Sequence, residues 1–110
     1  MEKAKLYASV EAHRALLTGL SDRIWDYAEL SMEETRSAAD YCRVLREQGF
    51  SVTEKLGGID TAFSGSFGSG RPMIGILGEF DALSGLSQQA GTAQRLPRPE
   101  TDCGHGCGHN

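Results

Sequence analysis

The chain has 110 residues, 39% of them apolar and 24% charged, and a formal net charge of −4. That length allows at most one small domain, or the opening piece of a larger one. The acidic balance and the scattered Lys and Arg exclude nucleic acid as the main partner, and no apolar stretch approaches the roughly 20 residues of a membrane helix.

The N-terminus, Met1-Glu2-Lys3-Ala4-Lys5, leads into an amphipathic segment and not into the apolar core of a signal peptide. A cytoplasmic location is expected. Three cysteines do not make a disulfide framework; in a reducing compartment clustered thiols serve more often as ligands or catalytic groups.

Residues 4 to 29 read as a helix. Val10, Leu17 and Ile24 recur every seventh position, as do Leu6, His13, Leu20 and Tyr27, while Glu11, Arg14, Asp22 and Arg23 lie off that stripe. Gly19 and Ser21 weaken the middle, so two shorter helices are an alternative. Ser31-Met32-Glu33-Glu34 fits a capping box, in which Ser31 and Glu34 satisfy each other's backbone amides. The helix so opened runs to about Gln48, with Ala38, Tyr41, Cys42, Val44 and Leu45 as its buried face. Gly49 suits the left-handed position just past its end.

Strand-like segments follow. Residues 50 to 55 alternate, Gly57-Gly58 makes a turn, residues 61 to 67 alternate weakly, and Gly68-Ser69-Gly70 turns again. Met73 to Phe80 is a continuous apolar run, which reads as a buried central strand of an α/β sheet. The predicted order is two helices, then strands, ending in that central strand. From 84 to 106 the chain is rich in Gly, Ser, Gln and Pro, a loop of the length that is functional or disordered.

The chain closes on Cys103-Gly104-His105-Gly106-Cys107-Gly108-His109-Asn110, which holds two of its three cysteines and two of its three histidines. Thiolate and imidazole are preferred zinc ligands, and glycines between them let the backbone turn so that ligands converge. Cys107 and His109 are the candidate metal pair. A self-contained four-ligand tail that adds Cys103 and His105 is disfavoured, because ligands at every second residue of an extended chain cannot surround an ion. Glu79 and Asp81 stand at the end of the apolar run, on one side of it by period-two geometry, where one can orient a ligating imidazole. His13 and Cys42 read as structural residues.

With these motifs in order, from Leu30-Ser31-x-x-Glu34 through Glu79-Phe80-Asp81-Ala82-Leu83 to Cys107-Gly108-His109-Asn110, the chain resembles the N-terminal part of the metal-dependent aminoacylase and carboxypeptidase family of amidohydrolases. It looks closest to the aminobenzoyl-glutamate hydrolase type. The resemblance implies that residues 1–110 are an incomplete portion of an α/β metallohydrolase catalytic domain, lacking the remainder of that domain and a lid or dimerisation domain. It implies a hydrolase of the amide bond of N-acyl amino acids that works through a metal-activated water. Two divalent ions, zinc or manganese, would serve each active site of a homo-oligomer. Cys107 and His109 would be metal ligands and Asp81 a ligand-orienting residue, with the general-base glutamate outside these residues. Other branches carry a ligating histidine at the position of Glu79, and many relatives have proline at that of Ser84. The alternative is a non-catalytic metal-binding or interaction module whose Cys/His tail is complete in itself.

Overall fold

The computed structural model describes residues 2–110. Three helices come first, α1 (Lys3–Ala12), α2 (Arg14–Tyr27) and α3 (Thr35–Glu47). A hairpin of β1 (Ser51–Glu54) and β2 (Phe63–Ser66) follows, then a two-residue ladder of β3 (Leu83–Ser84) and β4 (Cys103–Gly104). The mixed helix-and-strand class matches expectation, with small antiparallel pairs in place of a large sheet.

The first helical stretch breaks at His13, not at Gly19. His13 Nδ1 donates to the Ser9 carbonyl at 2.7 Å, the acceptor its own backbone amide would take in a continuous helix. That amide turns to Val10 instead (3.1 Å). Beyond the break, the expected stripe is buried only where α2 meets α3, at Leu20 and Ile24. Leu6, Val10 and Leu17 are exposed. Leu20, Ile24 and Val44 form the core, flanked by Leu16, Tyr41 and Phe80. Asp40 closes one edge of this packing. Its carboxylate accepts from Arg23 Nε (2.5 Å) and from Arg43, and the Arg23 bond, against the cost of burial, holds it below the usual aspartate range.

The capping box is not formed. Glu33 donates back to Leu30 in a turn, α3 begins at Thr35, and neither Ser31 nor Glu34 caps it. Glu29 does so from six residues upstream. Its carboxylate accepts from the backbone amides of Arg36 (3.1 Å) and Ser37 (2.8 Å) and from the Ser37 hydroxyl (2.8 Å). These are orphan donors of the first helical turn, where a negative charge also meets the positive end of the helix dipole. The other end of α3 follows expectation. Gly49 is left-handed (φ 87°), its amide bonds Arg46, and that of Phe50 bonds Leu45, a Schellman pattern.

The hairpin pairs Val52 with Gly65 and Glu54 with Phe63, and both strands pack on α3. The expected buried strand Met73–Phe80 is the main correction. Residues 73 to 80 form no ladder, and Met73, Ile74, Ile76 and Leu77 are each more than 80% exposed. A central strand needs a paired neighbour on each edge and cover on each face. The described residues supply neither for 73 to 77. Order returns at Phe80, which stacks against Tyr41 and Phe63 with ring centroids 6.0 and 5.5 Å away. Ala82 then makes a parallel bridge with Leu30, its amide donating to the Glu29 carbonyl at 2.7 Å.

Glu29 gives the first test. Burial alone would raise its pKa, but the amide and hydroxyl donors of Ser37 and Arg36 outweigh it and leave the group below its ordinary value. A lowered carboxylate stabilises fully above its unfolded-state pKa and loses that contribution as pH falls through the folded-state value. Glu29→Ala should cost about 1–2 kcal/mol in urea unfolding at neutral pH, the range for a lost cap. The gap between wild type and variant should narrow on acidification. A variant within error of wild type at neutral pH would show that the cap adds nothing to stability.

Candidate metal centre

Two segments far apart in sequence build the site. The first is Glu79-Phe80-Asp81. Phe80 turns into the aromatic cluster with Tyr41 and Phe63, while Glu79 and Asp81 on either side of it both reach His109. Glu79 is exposed and Asp81 half-buried. The second segment is the tail, delivered by the long loop.

That loop is folded. Asp102 closes its base by accepting from the Gly85 amide (3.0 Å) and the Ser84 hydroxyl (3.1 Å), beside the β3–β4 ladder. Gln88 spans its interior, donating to the Gln94 carbonyl (2.8 Å) and accepting from the Leu96 amide (3.1 Å). Arg98 bonds the Asp26 carbonyl at the end of α2 (3.1 Å). Low apolar content hid this order from the sequence, because amides and hydroxyls hold it and leave no periodicity.

The tail glycines are used differently from one another. Gly108 has φ 75°, the left-handed turn expected of a glycine between ligands. Gly104 is buried by close approach. A Cβ there would strike the Leu86 carbonyl oxygen and come within 2.9 Å of Ser87 Cα. At Gly106 a Cβ would lie 2.9 Å from Leu86 Cδ1.

Tail and acids then converge. Glu79, Asp81 and His109 each offer an atom within 4.8 Å of the others. His109 Nδ1 lies 2.9 Å from Asp81 Oδ1, and Nε2 lies 3.5 Å from Glu79 Oε2. The Asp81 bond, opposed by burial and aided by the charges of Asp81 and Glu79, raises the His109 pKa above the ordinary histidine value. With Nδ1–H committed to Asp81, neutral His109 keeps its Nε2 lone pair toward Glu79, the tautomer a metal-ligating imidazole needs. Tyr41, Leu77, Gly108 and Asn110 complete a shallow cleft of ≈ 450 Å³ around these two side chains.

Cys107 is exposed and is not part of this triad. Cys103 lies in β4, and His105 is buried, its Nε2 donating to the Ile24 carbonyl at 3.0 Å. Burial lowers the His105 pKa, and Nδ1 has no hydrogen-bond partner. Among the described residues the cluster that gathers is Glu79, Asp81 and His109, with His109 its one member from the tail. The sequence offers Glu79 and Asp81 as a pair of which one can orient a ligating imidazole; Asp81 is the one that bonds Nδ1, and Glu79 faces Nε2.

Among curated proteins, the chain is 49% identical over 102 residues to a p-aminobenzoyl-glutamate hydrolase subunit of Escherichia coli (strain K12). The chain is a relative of that hydrolase. The aligned stretch is 93% of this chain and 21% of the relative, so the chain spans about a fifth of the length of the curated hydrolase it matches. No family model matches the chain, and no solved structure does. The match supports the aminobenzoyl-glutamate type named from the motifs. No described helix is long and apolar enough to cross a membrane.

Two measurements test this geometry. Gly104→Ala should cost about 1–3 kcal/mol, as overpacking does, and speed amide exchange at Ser87, whose amide bonds the Asp102 carbonyl at 3.1 Å. Unchanged exchange would show that the contact yields freely. By NMR titration, His109 should lose its proton above the ordinary histidine range, and Asp81→Asn should bring that titration down. A raised histidine stabilises below its unfolded-state pKa and stops doing so as pH rises through the folded-state value. The Asp81 contribution should accordingly fade toward alkaline pH, and a His109 titration indifferent to Asp81→Asn would contradict the pair.

Proposed function

We propose that this chain contributes part of the active site of a metal-dependent amidohydrolase that cleaves the amide bond of N-acyl amino acids, aminobenzoyl-glutamate among them. The observation that carries the reading is the convergence of Asp81, His109 and Glu79 in a chain 49% identical to a hydrolase of that name. On this reading residues 1–110 belong to the catalytic domain.

The residues present suit a zinc or manganese ion. His109 would bind it through Nε2, and Glu79 stands close enough to Nε2 to share it. Cys107, two positions before His109 and exposed, would join as a thiolate, on the strength of the motif. Asp81 would act through His109, fixing its tautomer and raising its basicity without touching the ion. When bound, such an ion polarises a scissile carbonyl and makes water a nucleophile near neutral pH. The chain's own contribution is to hold the Nδ1 proton at Asp81, present Nε2 to the cleft, and line that cleft with Tyr41 and Leu77 for an apolar acyl group.

A chimera decides the matter. This chain should be grafted in place of the aligned stretch of the Escherichia coli hydrolase and assayed on aminobenzoyl-glutamate, with manganese or zinc and after chelation. Activity that needs the metal is expected, with Asp81→Asn slower by about 10–100-fold, the usual effect of losing a ligand's orienting partner, and His109→Ala slower still. The 110-residue chain alone should be inert. A chimera whose rate ignores chelation, or ignores both substitutions, would overturn the proposal.

A further inference from the structure

The tail is fastened to helix α2 on both sides of its candidate ligands. Upstream, His105 Nε2 donates to the Ile24 carbonyl at 3.0 Å, and the ring is only 3% exposed, with Trp25 beside it at 6.2 Å between centroids. Downstream, the Asn110 side-chain amide donates to Ser21 Oγ at 2.8 Å and approaches the Ser21 carbonyl at 3.3 Å. Ser21 and Ile24 are three residues apart, so both fastenings lie within one turn of the same helix. Between them run Gly106, Cys107, Gly108 and His109. The Gly108 amide bonds the His105 carbonyl at 2.9 Å and closes this stretch into a turn.

We infer that His105 and Asn110 are positioning residues, which pin both ends of the Cys107–His109 turn to helix α2 and so preset His109 for the ion. The inference rests on the metal-centre reading above. Its physical basis is conformational entropy. Fixing a residue's backbone costs conformational entropy, and a glycine-rich turn has the most freedom to lose. A loose tail would draw that cost from ion binding; a fastened tail has met it during folding. Neither positioning residue touches the ion. Asn110 suits its place because its amide supplies a donor to two oxygens, one of them a helix carbonyl with no proton to give.

The test uses the 110-residue chain, with Co²⁺ as probe through its ligand-field absorption and Zn²⁺ by competition. Asn110→Ala should weaken binding about tenfold, at the lower end of the range for groups that support a ligand. Ser21→Ala should weaken it less, and the double variant no further than Asn110→Ala alone, since the two share one contact. His105→Phe keeps the ring but drops its bond to Ile24, and it should weaken binding while leaving the urea midpoint of the α2–α3 core close to wild type. Additive losses in the Ser21/Asn110 cycle, or affinities within twofold throughout, would overturn the inference while the metal reading stands. His109→Ala is the control for that reading. If wild type binds Co²⁺ no better than this variant, the metal centre fails and the inference fails with it.

Discussion

Glu29 is the joint on which the structure turns. Its carboxylate holds the first turn of α3, and its carbonyl holds the Ala82 amide at 2.7 Å. One residue just past α2 thereby fixes where α3 starts and where the acid-bearing segment lies. The carboxylate can sit there because its burial is answered by amides that have no other partner. Leu30 continues the join as the partner of Ala82, and Phe80 completes it from the other side through Tyr41 and Phe63. Asp81 is held between two anchored neighbours.

His109 arrives by an independent route. The loop from β3 to β4 is closed by Asp102 and stiffened by Gln88, and the tail then lies along α2 through His105 and Asn110. Helix α2 therefore supports both halves of the site, one through Glu29 just past its end and the other through the Ile24 carbonyl and Ser21. The outcome is two carboxylates and an imidazole within 4.8 Å of one another. Two acids so close repel each other and draw in positive charge. A proton on His109 is such a charge: the Asp81 hydrogen bond first, and then the charges of both acids, favour it and raise the His109 pKa. A divalent cation would supply that charge more strongly and in competition with that proton.

The sequence made some of this plain and concealed the rest for identifiable reasons. Gly49 after α3 and the turns at Gly57-Gly58 were legible because they depend on local backbone freedom. The Ser31 capping box was legible and not used; with the chain turned at Met32, whose φ is 69°, Glu29 from outside the motif caps the amides of Arg36 and Ser37 instead. The apolar run 73 to 77 carries the pattern of a central strand, yet a strand is completed by its neighbours, and none flanks it among the described residues. The stretch from 84 to 106, read as a functional or disordered loop, gave no sign of its fold because its order rests on polar bonds between residues up to 18 apart.

What the sequence determined by itself is the chemistry on offer. It set an imidazole and a thiolate at the tail and two acids two positions apart on either side of Phe80. Those properties are local, written in residue type and spacing. Tertiary structure alone decided which of these groups meet. It joined His109 to Asp81 and Glu79 across 28 and 30 positions, left Cys107 outside the triad, and assigned His105 to the Ile24 carbonyl. That choice depends on how a glycine-bearing tail packs against a helix about 80 residues earlier. No local pattern encodes such a meeting, because its free energy comes from contacts that exist only after the chain has folded.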